Sequence, residues 1–186
     1  MRAYEIFNEA AGRRVDKAPK ASTKKLWFQH QSPHDLEILR PLSYAELGSS
    51  RENDLETDDS YLDDRKKVEK KYHDLTGQSK KKSFLYATII GFNKMTAPDD
   101  FPGFTYYFQM DEDQIEKCVF EIVDKKSWMK PTLGRKALDK ALVIWEENED
   151  KFKPTEDPIG TIYPRIEVVI PFSVTPVKHI PQEEDR

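Results

Sequence analysis

His30 and His34 stand four residues apart in Gln29-His30-Gln31-Ser32-Pro33-His34, a separation that on a helix would aim two imidazoles at one metal ion. Pro33 breaks any such helix and no HExxH frame surrounds the pair, so the spacing does not describe a metal centre. The single cysteine, Cys118, lies in an apolar strand pattern without a histidine nearby in sequence, which predicts a buried structural thiol rather than a nucleophile. One cysteine also forms no intramolecular disulfide and no cysteine-rich zinc site, excluding a stapled secreted scaffold. The 7 glycines are scattered, and none opens a phosphate-cradling loop followed by Lys-Ser or Lys-Thr. Nucleotide triphosphatase chemistry is therefore not expected.

The elements that would position any such chemistry are short. Leu26–Phe28, Phe84–Phe92, Phe104–Met110, Cys118–Val123 and Ile166–Val174 are rich in aromatic and β-branched residues and predict strands. In the last, Ile166, Val168, Ile170, Phe172 and Val174 alternate with Glu167, Val169, Pro171 and Ser173, so one row faces a core and Glu167 the other side. Pro171 marks an edge or a bulge there. A helix from about Gly134 to Asp150 carries the apolar stripe Leu138, Ala141, Leu142 and Trp145. Shorter helices are expected at His34–Arg40 and Glu112–Lys117. Residues 49–82 are highly charged, acids first and bases after, and Val68, Tyr72 and Leu75 predict a surface helix near 61–75, ended by Gly77, in a solvated insertion. Strands that outnumber long helices and do not alternate with them argue for α+β built on mainly antiparallel sheets.

Three segments, in order, resemble the small ADP-ribosyltransferase-type domains. Leu26-Trp27-Phe28-Gln29-His30-Gln31-Ser32-Pro33, followed by Asp35-Leu36-Glu37-Ile38-Leu39-Arg40-Pro41, is similar to their opening strand and short helix. Lys82-Ser83-Phe84-Leu85-Tyr86-Ala87-Thr88 is similar to the second core strand. Arg165-Ile166-Glu167-Val168-Val169-Ile170-Pro171, with Val174-Thr175-Pro176-Val177-Lys178-His179-Ile180, is similar to the closing strand. Gln31 stands where that pattern has glycine, and residues 49–82 separate the first two segments. The resemblance covers most of 26–180 and implies split antiparallel sheets flanked by short helices, with NAD as the substrate. It implies that His30 and Ser32 hold the cofactor, that Tyr86 stacks on nicotinamide, and that Glu167 engages the ribose and faces the cationic sugar of the transition state. Arg40 and Tyr107 would be neighbours of that site. Taken singly, the ordinary expectation for the trio is a structural histidine, a core tyrosine and a solvated glutamate.

At the amino terminus, Arg2-Ala3-Tyr4-Glu5-Ile6-Phe7-Asn8-Glu9-Ala10 resembles the capsid-targeting peptides of internal head proteins in T-even-like phages, which implies cleavage after Glu9. A basic linker, 12–25, follows, so the expected organisation is 1–25 peptide and linker, 26–181 a single domain, and 182–186 a tail. With 30 basic and 34 acidic residues the formal net charge is -4, which argues against a protein that coats DNA. Glu5, Asn8 and Glu9 interrupt any secretory core, and no apolar run spans a bilayer, so no membrane partner is expected. Together these readings anticipate a head-packaged effector in the virion or host cytoplasm that passes ADP-ribose from NAD to a host protein or nucleic acid. The alternatives are a noncatalytic binding or inhibitor protein on a degenerate version of the same fold, and a structural head component that contacts other phage head proteins and, through 12–25, DNA phosphates.

Overall fold

The structure, a computed structural model, describes residues 26–51, 59–93, 103–124, 128–157 and 160–181. The amino-terminal peptide with Glu9, the basic linker and the 182–186 tail lie outside the described residues. Among the described residues nine strands form: β1 Phe28–Ser32, β2 Leu85–Asn93, β3 Phe104–Phe108, β4 Val119–Val123, β5 Met129–Leu133, β6 Thr155–Asp157, β7 Gly160–Ile162, β8 Arg165–Ile170 and β9 Lys178–Pro181. The helices are α1 Tyr44–Arg51, α2 Asp59–Thr76, α3 Glu112–Ile115 and α4 Arg135–Asn148. Seven strands pair in the order β5-β4-β8-β2-β1-β3-β9, every pairing antiparallel, and β6 and β7 form a separate pair. The chain is α+β on an antiparallel sheet, as the strand pattern predicts.

The sheets anticipated as split are hydrogen-bonded into one, through a narrow join. β1 meets β2 only at Phe28↔Ile89 and Gln29↔Thr88, with Ile90 N–H donating to the Trp27 carbonyl at 3.0 Å. β2 bulges between Thr88 and Asn93, where Gly91 takes a φ of 90° that a side chain disfavours. Gly103 leads into β3 so close to the end of β1 that a Cβ there would lie 2.4 Å from the Ser32 carbonyl oxygen.

Strand alternation gives the sheet two unlike faces. Phe28, Ala87, Ile89, Phe108, Phe120, Ile122, Ile166, Val168 and Ile170 belong to the main core, with Ala137, Leu138, Ala141 and Trp145 of α4 packed in the same cluster. The opposite face carries Val119, Val169 and Tyr86, covered by α2 through Tyr72, with Phe84 beside them. Glu121, Glu167, Thr88, Gln29 and Tyr107 follow one another across four strand pairings as a polar row on that second face.

Three expectations change. His34–Arg40 is not helical; Leu39 instead bridges Val174 through two backbone bonds of 3.0 and 2.8 Å. The Tyr106 hydroxyl props this loop, accepting from Leu36 N–H at 2.5 Å and donating to the His34 carbonyl at 2.9 Å. The strand anticipated to 174 stops at Ile170, because β8 lies between β4 and β2 and Pro171 has no N–H to continue its ladder. Finally, the described part of the charged stretch is not merely solvated: α2 packs on the sheet, with Val68 and Leu75 outward and Glu69 inward at 0% exposure.

Candidate functional site

Tyr86 on β2 and Glu167 on β8 occupy the same face of adjacent strands, since Tyr86 is paired with Val169 and Thr88 with Glu167. His30 is aligned with Tyr106 on β3 and, two residues from Phe28, falls by alternation on the opposite, α4 side. The structure thus brings two members of the trio onto one surface and turns the third away. His30 still touches the pair: its Nδ1 lies 2.7 Å from the Tyr86 carbonyl oxygen. A carbonyl only accepts, so Nδ1 carries the proton and the neutral ring has an unprotonated Nε2. Burial holds the imidazole below its ordinary pKa, and the bond to Tyr86 opposes this in part.

α2 rests on this face, over Tyr86 and Glu121. The inward residues of that helix, Arg65, Glu69, Tyr72 and His73, recur at helical spacing and meet polar groups on the sheet. The Glu69 carboxylate receives hydroxyl hydrogen bonds from Tyr86 at 2.7 Å, Ser83 at 2.7 Å and Tyr44 at 2.6 Å. Arg65 Nε donates to Glu69 at 2.9 Å and to Ser83 Oγ at 3.0 Å, and its guanidinium sits 4.9 Å from the Tyr86 ring centroid. Each donor is thereby matched to a buried acceptor, which is the condition for tolerating a carboxylate out of water. Burial, then the charge of Glu69 and the bond to it, pushes the Tyr86 phenol far above its usual range, so it is a donor throughout ordinary pH.

A second polar group lies beside the first. The Tyr72 hydroxyl donates to Glu121 Oε1, and Lys71 Nζ is 3.2 Å from Glu121 Oε2. Glu121 is the direct cross-strand neighbour of Glu167, a like-charge pairing that destabilises unless it is offset. Arg165 supplies the offset, with Nη2 at 2.8 Å and Nε at 3.2 Å from Glu167 Oε2. Burial nevertheless raises the Glu167 pKa above its ordinary value; Arg165 opposes that shift, and nearby Glu121 adds to it.

The other candidates serve the backbone or the surface. Ser32 Oγ accepts from His34 N–H at 3.1 Å and fastens the turn after β1. Arg40 pairs with Glu46 at 2.7 Å in the open. Tyr107 faces Gln29, and its carbonyl accepts from Val177 N–H at 2.8 Å. His34 is exposed while His30 is partly buried, and among the described residues no three His, Cys, Asp or Glu side chains gather to hold a metal.

Sequence reasoning missed Tyr44, Arg65, Glu69, Ser83 and Glu121. Only Glu121 carried a readable signal, as the lone acid in the apolar run 118–123. Comparisons with protein families, with curated proteins and with solved structures return no match.

Proposed function

We propose that the chain is a noncatalytic binding protein that uses an ADP-ribosyltransferase-like sheet to engage a host macromolecule. One observation carries this reading: the face that bears Tyr86 and Glu167 is filled by α2, with the Tyr86 hydroxyl on Glu69 and the neighbouring Glu121 held by Tyr72 and Lys71. The Tyr86 hydroxyl is thus engaged by the chain's own helix, where stacking on nicotinamide would need this side chain open to a ligand. The head-packaged origin is a separate part of the proposal, supported by the likeness of residues 2–10 to phage capsid-targeting peptides.

The transferase remains the second reading, favoured by Tyr86 and Glu167 sharing one face of adjacent strands. In it Glu167 would face the ribosyl cation as nicotinamide leaves NAD, and α2 would have to move off. Titration of the purified full chain with NAD, together with an assay for nicotinamide release, separates the two. The binding protein neither takes up NAD nor releases nicotinamide, and Glu167→Gln changes nothing in either assay. Nicotinamide release that disappears in Glu167→Gln overturns it in favour of the transferase.

A further inference from the structure

We propose that α2 is a detachable cover: it lifts from the sheet as a unit while the strands and α4 stay folded, and so controls access to the face that carries Tyr86 and Glu167. The motion goes beyond either reading of the function, and its test uses no NAD.

The difference between the two helices is chemical. α4 buries Leu138, Ala141 and Trp145 in the main apolar cluster, and removing it would expose that hydrocarbon to water. Beneath α2 the buried apolar groups are few: Tyr72, Phe84, Val119 and Val169, with Tyr86 at the margin. The remaining contacts are carboxylates, hydroxyls, an arginine, a lysine and the His73 imidazole, which lies 3.1 Å from the Tyr44 hydroxyl and beside the Phe84 ring, and each polar group regains water when the helix lifts. The net contribution of such polar contacts to stability is small, because what the folded pair gains was given up in dehydration.

The surroundings of α2 fit this motion. Along the helix, Arg65–Glu69, Lys66–Asp63 and Lys67–Asp64 are ion pairs internal to the element, which support it in isolation. Its carboxyl end leads to Gly77, at φ +70° with nothing within 4 Å of a Cβ placed there, so the turn that would flex is not packed against neighbouring side chains. The chain beyond is anchored without the helix: Ser83 N–H donates to the Leu42 carbonyl at 2.8 Å, and Tyr44 N–H to the Lys81 carbonyl at 3.2 Å. Lifting α2 therefore leaves the entry into β2 in place.

Native-state hydrogen exchange on the full wild-type chain decides the matter first. Amides of residues 65–76 are expected to exchange about 100-fold faster than those of 138–148, with little dependence on dilute denaturant, as a local opening requires. Equal protection in the two helices, with the same denaturant dependence, overturns the proposal. Tyrosine nitration of Glu69→Gln, read by peptide mass, gives the second measurement. Removing the charge that gathers three hydroxyls should raise labelling of Tyr86 about tenfold and leave Tyr106, fully buried on the other face, unchanged. A parallel rise at both tyrosines means global loosening and also sinks the idea.

Discussion

Glu167 is a carboxyl whose ionisation the fold works against. Burial outweighs Arg165, so the folded chain holds this proton more tightly than the unfolded chain does. Between the ordinary carboxylate range and the raised value the unfolded state binds fewer protons, so stability falls as pH rises through that window and is level above it. Glu167→Gln has no proton to lose. The stability of wild type minus that of the variant, from urea unfolding, should therefore decline as pH rises from the ordinary carboxylate range, about pH 4, through the raised value. A difference that stays flat, or climbs, would mean that Arg165 dominates instead. At this scale the sequence was partly legible. Alternation around Glu167 correctly put it on the side away from the main core, but alternation does not report what covers that side, and the carboxylate expected in solvent is 13% exposed and paired with Arg165.

Elements whose hydrophobic period matches their packing were easy to anticipate, and α4, with its Leu138, Ala141 and Trp145 stripe, is the clearest. α2 was found by its period, and Tyr72 of the anticipated stripe is inward at 1% exposure, but its two companions are not. Val68 and Leu75 suggested an apolar contact, yet they stand in solvent at 54% and 39% exposure while Glu69 and His73 turn in. Periodicity ranks side chains by oiliness, whereas this helix is seated by hydroxyl donors to its Glu69 carboxylate 14 and 17 residues away, at Ser83 and Tyr86, that no local pattern exposes. β5 was missed because Met-Lys-Pro-Thr-Leu neither alternates cleanly nor excludes proline, and it is tolerated as a strand only at the sheet edge. Two glycines test how backbone geometry sets these elements. Gly103→Ala puts a methyl 2.4 Å from the Ser32 carbonyl oxygen and 2.8 Å from Pro33 Cα, at φ +142°, and should cost about 3 kcal/mol. Gly77→Ala, at φ +70° in open space, meets only the left-handed penalty, about 1 kcal/mol. Thermal melts that rank the two in the reverse order would refute the assignment of strain to the β1–β3 approach.

The described residues are organised on the seven-stranded sheet, which has an oily side and a more polar side, beside the small β6–β7 pair. That asymmetry was only half visible beforehand: the apolar runs announced the antiparallel sheet and its main core, but the meeting of Tyr86, Glu121, Glu167 and α2 depends on register and chain reversal, which single segments do not encode. Cys118 belongs to the oily side. Its thiol is 0% exposed, donates to the Gln114 carbonyl at 3.3 Å, lies 3.7 Å from Met110 Sδ, and is pushed up by burial so that the reactive thiolate is suppressed. Leu138→Ala, which hollows the same cluster, is expected to destabilise by about 3 kcal/mol and to hasten uptake of an aromatic disulfide reagent by this sulfur. Glu69→Gln should leave the uptake rate near that of wild type, and equal acceleration by both variants would contradict the division of the molecule into two sides. The chain thus holds its own stopwatch: a solitary thiol that colours a reagent only when the entire body comes apart, and stays silent through smaller excursions.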